Sequence, residues 1–189
     1  REHDHFAGTD HPDVLKRNVP TTPLQLPVGE TVVASVFDLF LANYGVDRGF
    51  GGERVTQRDV LHVNPAARDA TLLGDLQDGG HLDSDAFDCI VLTQTLHLLF
   101  DIPAAVATLH RILKPGGILL VTTPGVSSVD SGEWGGTWMW SLTEASLGRL
   151  LAEAFVDVEV TTCGNVLTAV AMLHGLAEDE LRAEEYEIV

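Results

Sequence analysis

Residues 86–123 read AFDCIVLTQTLHLLFDIPAAVATLHRILKPGGILLVTT, and this stretch decides the fold class. The run 87–93 (FDCIVLT) is nearly continuous in apolar residues, as is typical of a parallel strand covered on both faces. The sequence DIP at 101–103 predicts a helix start, since Asp is a favoured N-cap and Pro fits the first turn. The KPG sequence at 114–116 ends that helix, and the run 117–123 (GILLVTT) predicts a second buried strand. Strand, helix and strand at this spacing predict a parallel crossover and therefore an α/β sheet.

Two short apolar runs and one longer amphipathic segment precede this stretch. The runs 59–63 (DVLHV) and 70–73 (ATLL) predict strands. Apolar residues recur at helical spacing from Val32 to Tyr44, which predicts a helix over more than three turns that ends at Gly45. We therefore expect the domain to begin with a helix.

The segment after the second buried strand predicts one more helix and two more strands. Ser141 and Glu144 match a capping box, which predicts a helix from Leu142 to about Phe155. The runs 156–161 and 166–172 predict strands with only four residues between them. So short a link cannot make a parallel crossover, so these strands are expected to form an antiparallel hairpin. The expected fold is thus a Rossmann-like, mostly parallel sheet with helices on both faces and a C-terminal antiparallel hairpin.

Composition sets the class of protein and divides the chain into three parts. Of 189 residues, 28 are acidic and 11 basic, for a formal charge of −17, which disfavours nucleic acid and anionic membrane surfaces as partners. The 45% of hydrophobic residues is enough for a core, and two cysteines are too few for a disulfide scaffold or a four-cysteine zinc site. We expect an N-terminal arm over 1–29, a domain over 30–175 and an acidic tail over 176–189. The histidines and aspartates of the arm are interpreted as solvated, and no metal site is predicted.

Three motifs resemble a known family of enzymes. They are Gly74-Asp75-Leu76, residues 86–97 (AFDCIVLTQTLH) and residues 109–117 (LHRILKPGG). Together they look like the middle of a class I S-adenosylmethionine-dependent methyltransferase of the UbiE/type 11 small-molecule kind. The resemblance extends from Asp59 to Gly175. It implies S-adenosylmethionine as the cofactor and the cytoplasm as the location.

The resemblance also implies roles for individual residues. The positions implied for cofactor binding are Gly45, Asn64, Asp75, Leu76, Thr93 and Gln94. Those implied for substrate binding are Thr95, Trp134 and Trp138, while His97 is the candidate general base. Each assignment has a structural alternative: Asp75 could cap a turn, Gln94 could cap the next helix, and His97 and the tryptophans could pack in the core.

The family's first glycine motif has no clean copy in this chain. Such enzymes carry an acidic residue and closely spaced glycines after their first strand, so that the backbone can approach the cofactor. The only candidate is residues 43–52 (NYGVDRGFGG), where Asn43 replaces the acid and the expected strand is the stretch interpreted as a helix. Three explanations are open: the chain lacks residues, the element has been lost, or the glycines at 45–52 rebuild the site in altered form.

Two functions follow from these observations. The first is S-adenosylmethionine-dependent methyl transfer to a small-molecule acceptor, by a protein that could form a homodimer. The alternative is a degenerate methyltransferase fold that binds a ligand or partner without transferring a methyl group.

Overall fold

The computed structural model describes residues 30–36, 55–68, 70–126, 136–176, 180–182 and 185. Its described part contains one five-stranded sheet. The strands are β1 (Glu30–Val36), β2 (Val55–His62), β3 (Leu72–Leu73), β4 (Phe87–Thr93) and β5 (Leu113–Thr122). Their order is β3-β2-β1-β4-β5, and every neighbouring pair is parallel. The α/β class and the parallel sheet predicted from the sequence are therefore confirmed.

The first strand is present, and the helix predicted from Val32 was wrong over this segment. β1 lies at the centre of the sheet, where Val33 pairs with Asp59 of β2 and with Ile90 of β4. The sequence of β1, ETVVASV, is rich in β-branched residues, and a strand with neighbours on both sides can be almost continuously apolar. The remainder of the predicted helix, residues 37–44, lies outside the described residues.

β4 has the bounds predicted from the sequence and separates two apolar clusters. Ile90 and Leu92 belong to the larger cluster, whereas Cys89 and Val91 belong to the smaller one. Alternate residues of a strand point to opposite faces, so both faces of β4 are covered. The buried residues of the helices pack mostly in the larger cluster, which also positions the residues that follow β4.

Helix α1 (Ile102–Ile112) packs on the larger cluster and begins as predicted. The Asp101 carboxylate accepts a hydrogen bond from the Ala104 N–H at 3.0 Å, and Pro103 lies in the first turn. Leu109 and Ile112 are almost fully buried on the inner face of this helix. Because α1 follows β4 after only a few residues, its N-terminus lies near the carboxyl edge of the sheet.

Helix α2 (Glu144–Ala152) has its N-cap two residues after the predicted one. Thr143 is the N-cap residue: its Oγ1 accepts from the Ser146 N–H at 3.2 Å, and its N–H donates to Ser146 Oγ at 2.8 Å. The predicted box of Ser141 and Glu144 was therefore wrong in register. A Thr-x-x-Ser sequence fulfils the same reciprocal pattern, with the Ser146 hydroxyl in place of a Glu or Gln side chain.

This cap gives a stability prediction. We expect Thr143→Ala to lower the free energy of unfolding by about 1 kcal/mol, because it removes the acceptor for an N-terminal helix N–H. Ser141→Ala is the matched control and should change stability by less than about 0.5 kcal/mol. Urea denaturation monitored by circular dichroism measures both values. Equal effects of the two substitutions would contradict the observed cap.

The C-terminal hairpin is absent from the described residues, and the second of its strands is a helix. Residues Val166–Leu173 form α3, whose N-cap Asn165 accepts from the Thr168 N–H at 3.0 Å while Thr168 Oγ1 accepts from the Asn165 N–H at 2.7 Å. This capping box outweighs the strand preference of the valines, and Gly175 with φ of +76° follows the helix end. The predicted first strand, 156–161, is irregular.

Most of the predicted arm and tail lies outside the described residues. Among the described helices, none has the length and apolar character needed to cross a membrane.

Candidate functional site

A cavity lies beyond the carboxyl ends of β2 and β3. Its volume is about 200 Å³. The lining residues come from four parts of the chain. They are the end of β2 (Leu61, His62, Val63), the segment after β3 (Gly74, Asp75, Leu76, Gln77), the segment after β4 (Thr95, Leu98, Leu99) and a later loop (Thr137). Ligands of open α/β sheets bind at this edge, near the point where the strand order reverses. In this sheet the reversal falls between β1 and β4.

Asp75 places a carboxylate in this cavity. It caps a 3₁₀ helix, Leu76–His81, where its Oδ1 accepts from the Gln77 N–H at 2.8 Å. The Gln77 side-chain amide donates to both carboxylate oxygens, at 3.2 and 3.0 Å. Both readings of Asp75 are therefore compatible, since an ionised carboxylate with about four lone-pair sites can cap the helix and still accept from a ligand.

Gly74 allows the backbone to turn into the cavity just before Asp75. Its φ is +156°, and a Cβ at this position would collide with the imidazole ring of His81. A residue with a side chain here would have to displace that ring and adopt a backbone conformation that L-residues disfavour. Glycine at 74 therefore fixes the approach of the Asp75 carboxylate.

The residues that end β4 form a polar edge next to the cavity. Thr93 pairs with Thr122 of β5, and Gln94 follows with φ of +50°, held by a 2.8 Å hydrogen bond from its N–H to the Thr122 carbonyl. A non-glycine residue in this conformation is uncommon and occurs often at functional sites. Thr95 lines the cavity and donates to the Thr93 carbonyl at 3.0 Å. The Gln94 side chain therefore does not cap the short 3₁₀ helix that follows, Leu96–Leu98. It contacts Thr122 Oγ1 at 3.3 Å instead.

Of three other predicted site residues, one lies outside the cavity lining and two are not among the described residues. Asn64 is exposed one residue beyond the cavity lining, where its Oδ1 accepts from the Ala66 N–H at 2.9 Å in a local turn. Gly45 and Trp134 lie outside the described residues. The structure therefore brings together Asp75, Leu76 and Thr95 of the predicted set.

His97 is buried rather than facing the cavity. Only 3% of its surface is exposed, and burial lowers its pKa from 6.5 to about 4. Its ring lies 4.5 Å from that of Trp138, centroid to centroid, and its Nδ1 has no hydrogen-bond partner among the described residues. A group with this pKa is a weak base at neutral pH, so the geometry does not support the predicted catalytic role and favours the structural alternative.

The tryptophan segment is fixed to the residues around His97. The N–H groups of Met139 and Trp140 both donate to the His97 carbonyl at 3.1 Å, and the Trp140 indole N–H donates to the Leu99 carbonyl at 2.9 Å. Trp138 does not line the cavity, so its predicted contact with substrate finds no support in this arrangement. Its packing on His97 instead joins the segment before α2 to the segment after β4.

Comparison with known proteins agrees with this fold. A family model described as a methyltransferase domain matches residues 27–159, which is more than half of the chain. The chain belongs to the methyltransferase-domain family. The description of that family agrees with the reaction class expected from the sequence, whereas S-adenosylmethionine as the cofactor and the UbiE/type 11 subtype stay predictions.

Solved structures resemble this methyltransferase in fold at low sequence identity. A SAM-dependent methyltransferase from Archaeoglobus fulgidus is 12% identical with a TM-score of 0.56, over 83% of this chain and 74% of the other. The [4+2]-cyclase SpnF is 21% identical with a TM-score of 0.51, over 68% of this chain and 51% of the other. At these identities the likeness shows the fold alone, and the chemistry has to be argued from the site.

One curated relative is similar over a shorter stretch. The respiratory nitrate reductase 2 alpha chain of Escherichia coli (strain K12) is 43% identical over 65 residues, which is 34% of this chain and 5% of that protein. The matched stretch therefore covers about one twentieth of the length of that relative. The parts of the chain before and after the family match are each shorter than 65 residues. The stretch that resembles the nitrate reductase chain therefore overlaps the family match.

The candidate site contains two residues that the sequence did not indicate. His62 ends β2 and lines the cavity, and its Nδ1 accepts from the Asn64 N–H at 2.8 Å. Gln77 joins Asp75 to the start of α1, since its Oε1 accepts from the Asp101 N–H at 2.8 Å. The family pattern drew attention to Asn64 instead of His62. A signal for Gln77 was available, because it lies two residues after a capping aspartate.

Proposed function

We propose that this chain transfers a methyl group from S-adenosylmethionine to a small-molecule acceptor, with the adenosyl part of the cofactor in the cavity beside Asp75. One observation carries the proposal: a carboxylate in a largely apolar cavity, at the carboxyl edge of a parallel sheet, next to a glycine that keeps the backbone close. A carboxylate accepts from the exocyclic amine of adenine, and apolar walls suit the faces of its ring.

The residues present fit that part of the cofactor. The Leu61, Leu76 and Leu99 side chains supply apolar surface, and Asp75 supplies the acceptor. The cavity is smaller than the roughly 300–1,000 Å³ typical of ligand sites, so it would hold one portion of the cofactor. When bound, the cofactor supplies an electrophilic methyl group on a positively charged sulfur.

The polar edge after β4 would orient the acceptor. Thr93, Gln94 and Thr122 offer hydroxyl and amide groups there, and the strained Gln94 backbone holds them in a defined arrangement. Alignment of nucleophile and methyl group supplies most of the rate enhancement that such a transfer needs. We propose an acceptor whose nucleophile does not depend on His97 as a base.

A second candidate function is binding without methyl transfer, favoured by the sequence after β1. The strand ends at Val36, and the next glycine is Gly45, so closely spaced glycines do not follow the strand directly. Weak or altered cofactor binding is the expected consequence of such a loop.

Production of S-adenosylhomocysteine separates the two functions. The folded protein is incubated with S-adenosylmethionine and a panel of small amines, thiols, phenols and carboxylic acids, and the product is quantified by mass spectrometry. Acceptor-dependent product supports transfer. Binding of S-adenosylhomocysteine with no product from any acceptor supports the second function. The homodimer and the cytoplasmic location stay predictions.

A further inference from the structure

A second cavity lies between α1 and α2, outside the proposed cofactor site. Its volume is about 430 Å³, within the range typical of small-molecule sites. Its floor includes the buried side chains of Ile102 and Leu142. Two large aromatic side chains line it while remaining accessible, Phe100 at 71% and Trp140 at 42% exposure. Aromatic surface that remains in water next to an apolar floor is typical of a binding site.

The two aromatic rings contact each other, and the Trp140 ring is held by a hydrogen bond. Their centroids are 6.1 Å apart with the planes tilted by 35°, and the Trp140 indole N–H is fixed on the Leu99 carbonyl. Little freedom of the Trp140 side chain would therefore be lost when a planar ring stacks on it, and this lowers the cost of binding.

Two opposite charges on α2 complete the lining. Arg149 lies on α2 and Glu153 is the C-cap residue of this helix, four positions later, so their side chains emerge on the same face. In the described part of the chain the two side chains do not pair with each other, and neither side chain makes a hydrogen bond to another group. By contrast, Lys114 is paired with Asp88 at 2.7 Å, and Arg111 donates to backbone carbonyls. The second cavity therefore offers one free cation and one free anion beside two aromatic rings.

We propose that the second cavity binds an aromatic amino acid in its zwitterionic form. The ring would stack on Trp140 and Phe100, the carboxylate would pair with Arg149, and the ammonium would pair with Glu153. A ligand with only a carboxylate would face Glu153 and the acidic surface of the chain, and one with only an ammonium would face Arg149. The segment Leu98–Phe100 separates this cavity from the cofactor cavity, since Leu98 and Leu99 line one and Phe100 the other. The site is independent of the proposed methyl transfer.

Titration with L-phenylalanine, followed by NMR, tests this proposal. The indole N–H signal of Trp140, assigned by its loss in Trp140→Phe, should shift saturably at millimolar ligand. The analogues 3-phenylpropionate and phenethylamine, each with one charge, should bind more weakly than L-phenylalanine. The absence of a saturable shift, or equal affinity for the three ligands, would overturn the proposal.

Charge variants make the test specific. Arg149→Gln should weaken L-phenylalanine and 3-phenylpropionate about threefold to fivefold, as expected for exposed ion pairs, and leave phenethylamine no weaker. Glu153→Gln should do the reverse, weakening L-phenylalanine and phenethylamine only. Arg68→Gln is the matched control, because Arg68 is exposed and does not line the cavity; it should leave all three affinities unchanged. L-phenylalanine binding that is insensitive to both charge variants would refute the zwitterionic assignment.

Discussion

Asp75→Asn is expected to weaken S-adenosylhomocysteine binding by about 10- to 100-fold. The asparagine can keep its Oδ1 on the Gln77 N–H and so preserve the cap of the 3₁₀ helix. An NH₂ group then replaces Oδ2, so that a donor faces the adenine amine in place of an acceptor. A hydrogen bond to a charged group contributes about 1.5–3 kcal/mol, and about 1.4 kcal/mol corresponds to a factor of ten. Isothermal titration calorimetry measures the change in affinity.

Asp78→Asn is the matched control for this prediction. Asp78 lies in the same 3₁₀ helix, is exposed and does not line the cavity, so the substitution removes one negative charge at a similar place in the chain. It should change the affinity by less than twofold. Thermal denaturation of both variants shows whether they are folded, because Asp75→Asn also removes the acceptor for one Gln77 side-chain bond. If a folded Asp75→Asn binds as tightly as the wild type, Asp75 does not hold the cofactor.

Protonation of His97 should lower the stability of the protein by about 3 kcal/mol as the pH is lowered from 6.5 to 4. Burial lowers the pKa of His97 to about 4 from its ordinary 6.5. Between these values the unfolded chain takes up a proton that the folded protein excludes, so protonation favours unfolding throughout the window. Each pH unit of such a window is worth about 1.4 kcal/mol. Above pH 6.5 this contribution is fully present.

His97→Phe should abolish this part of the pH dependence. Phenylalanine keeps a planar ring against Trp138 and has no group to protonate. Urea denaturation at several pH values between 4 and 7.5 gives the slope. The same substitution at His110, whose ring is exposed and touches the edge of Phe155, is the control and should leave the slope unchanged. A wild-type slope in His97→Phe would show that other groups cause the acid sensitivity.

The elements predicted correctly carry their signals locally. β4 has an uninterrupted apolar run, and α1 has both a capping aspartate and a proline at its start, so neither depends on distant residues. β1 shows the limit of such reasoning. The spacing of its valines is compatible with a helix as well as with a strand. The strand forms because β1 pairs with β2 on one side and with β4 on the other. The supposed lack of a first strand was a consequence of that wrong assignment.

The candidate site could be predicted only in part, for similar reasons. Asp75 and Thr95 follow strands whose ends meet at one edge of the sheet, so their positions follow from the topology. The burial of His97 could not be read from the sequence, because it depends on Trp138, which lies forty-one residues later and packs on its ring. Likewise, the second cavity is formed by segments far apart in the chain, namely the start of α1 and the length of α2.

The central claim is that this methyltransferase fold holds the adenosyl part of its cofactor at the carboxyl edge of β2 and β3. Calorimetric titration of the folded wild-type protein with S-adenosylhomocysteine tests it most directly. We predict a saturable heat with one site per chain. No heat at high micromolar ligand, with circular dichroism showing folded protein, would contradict it.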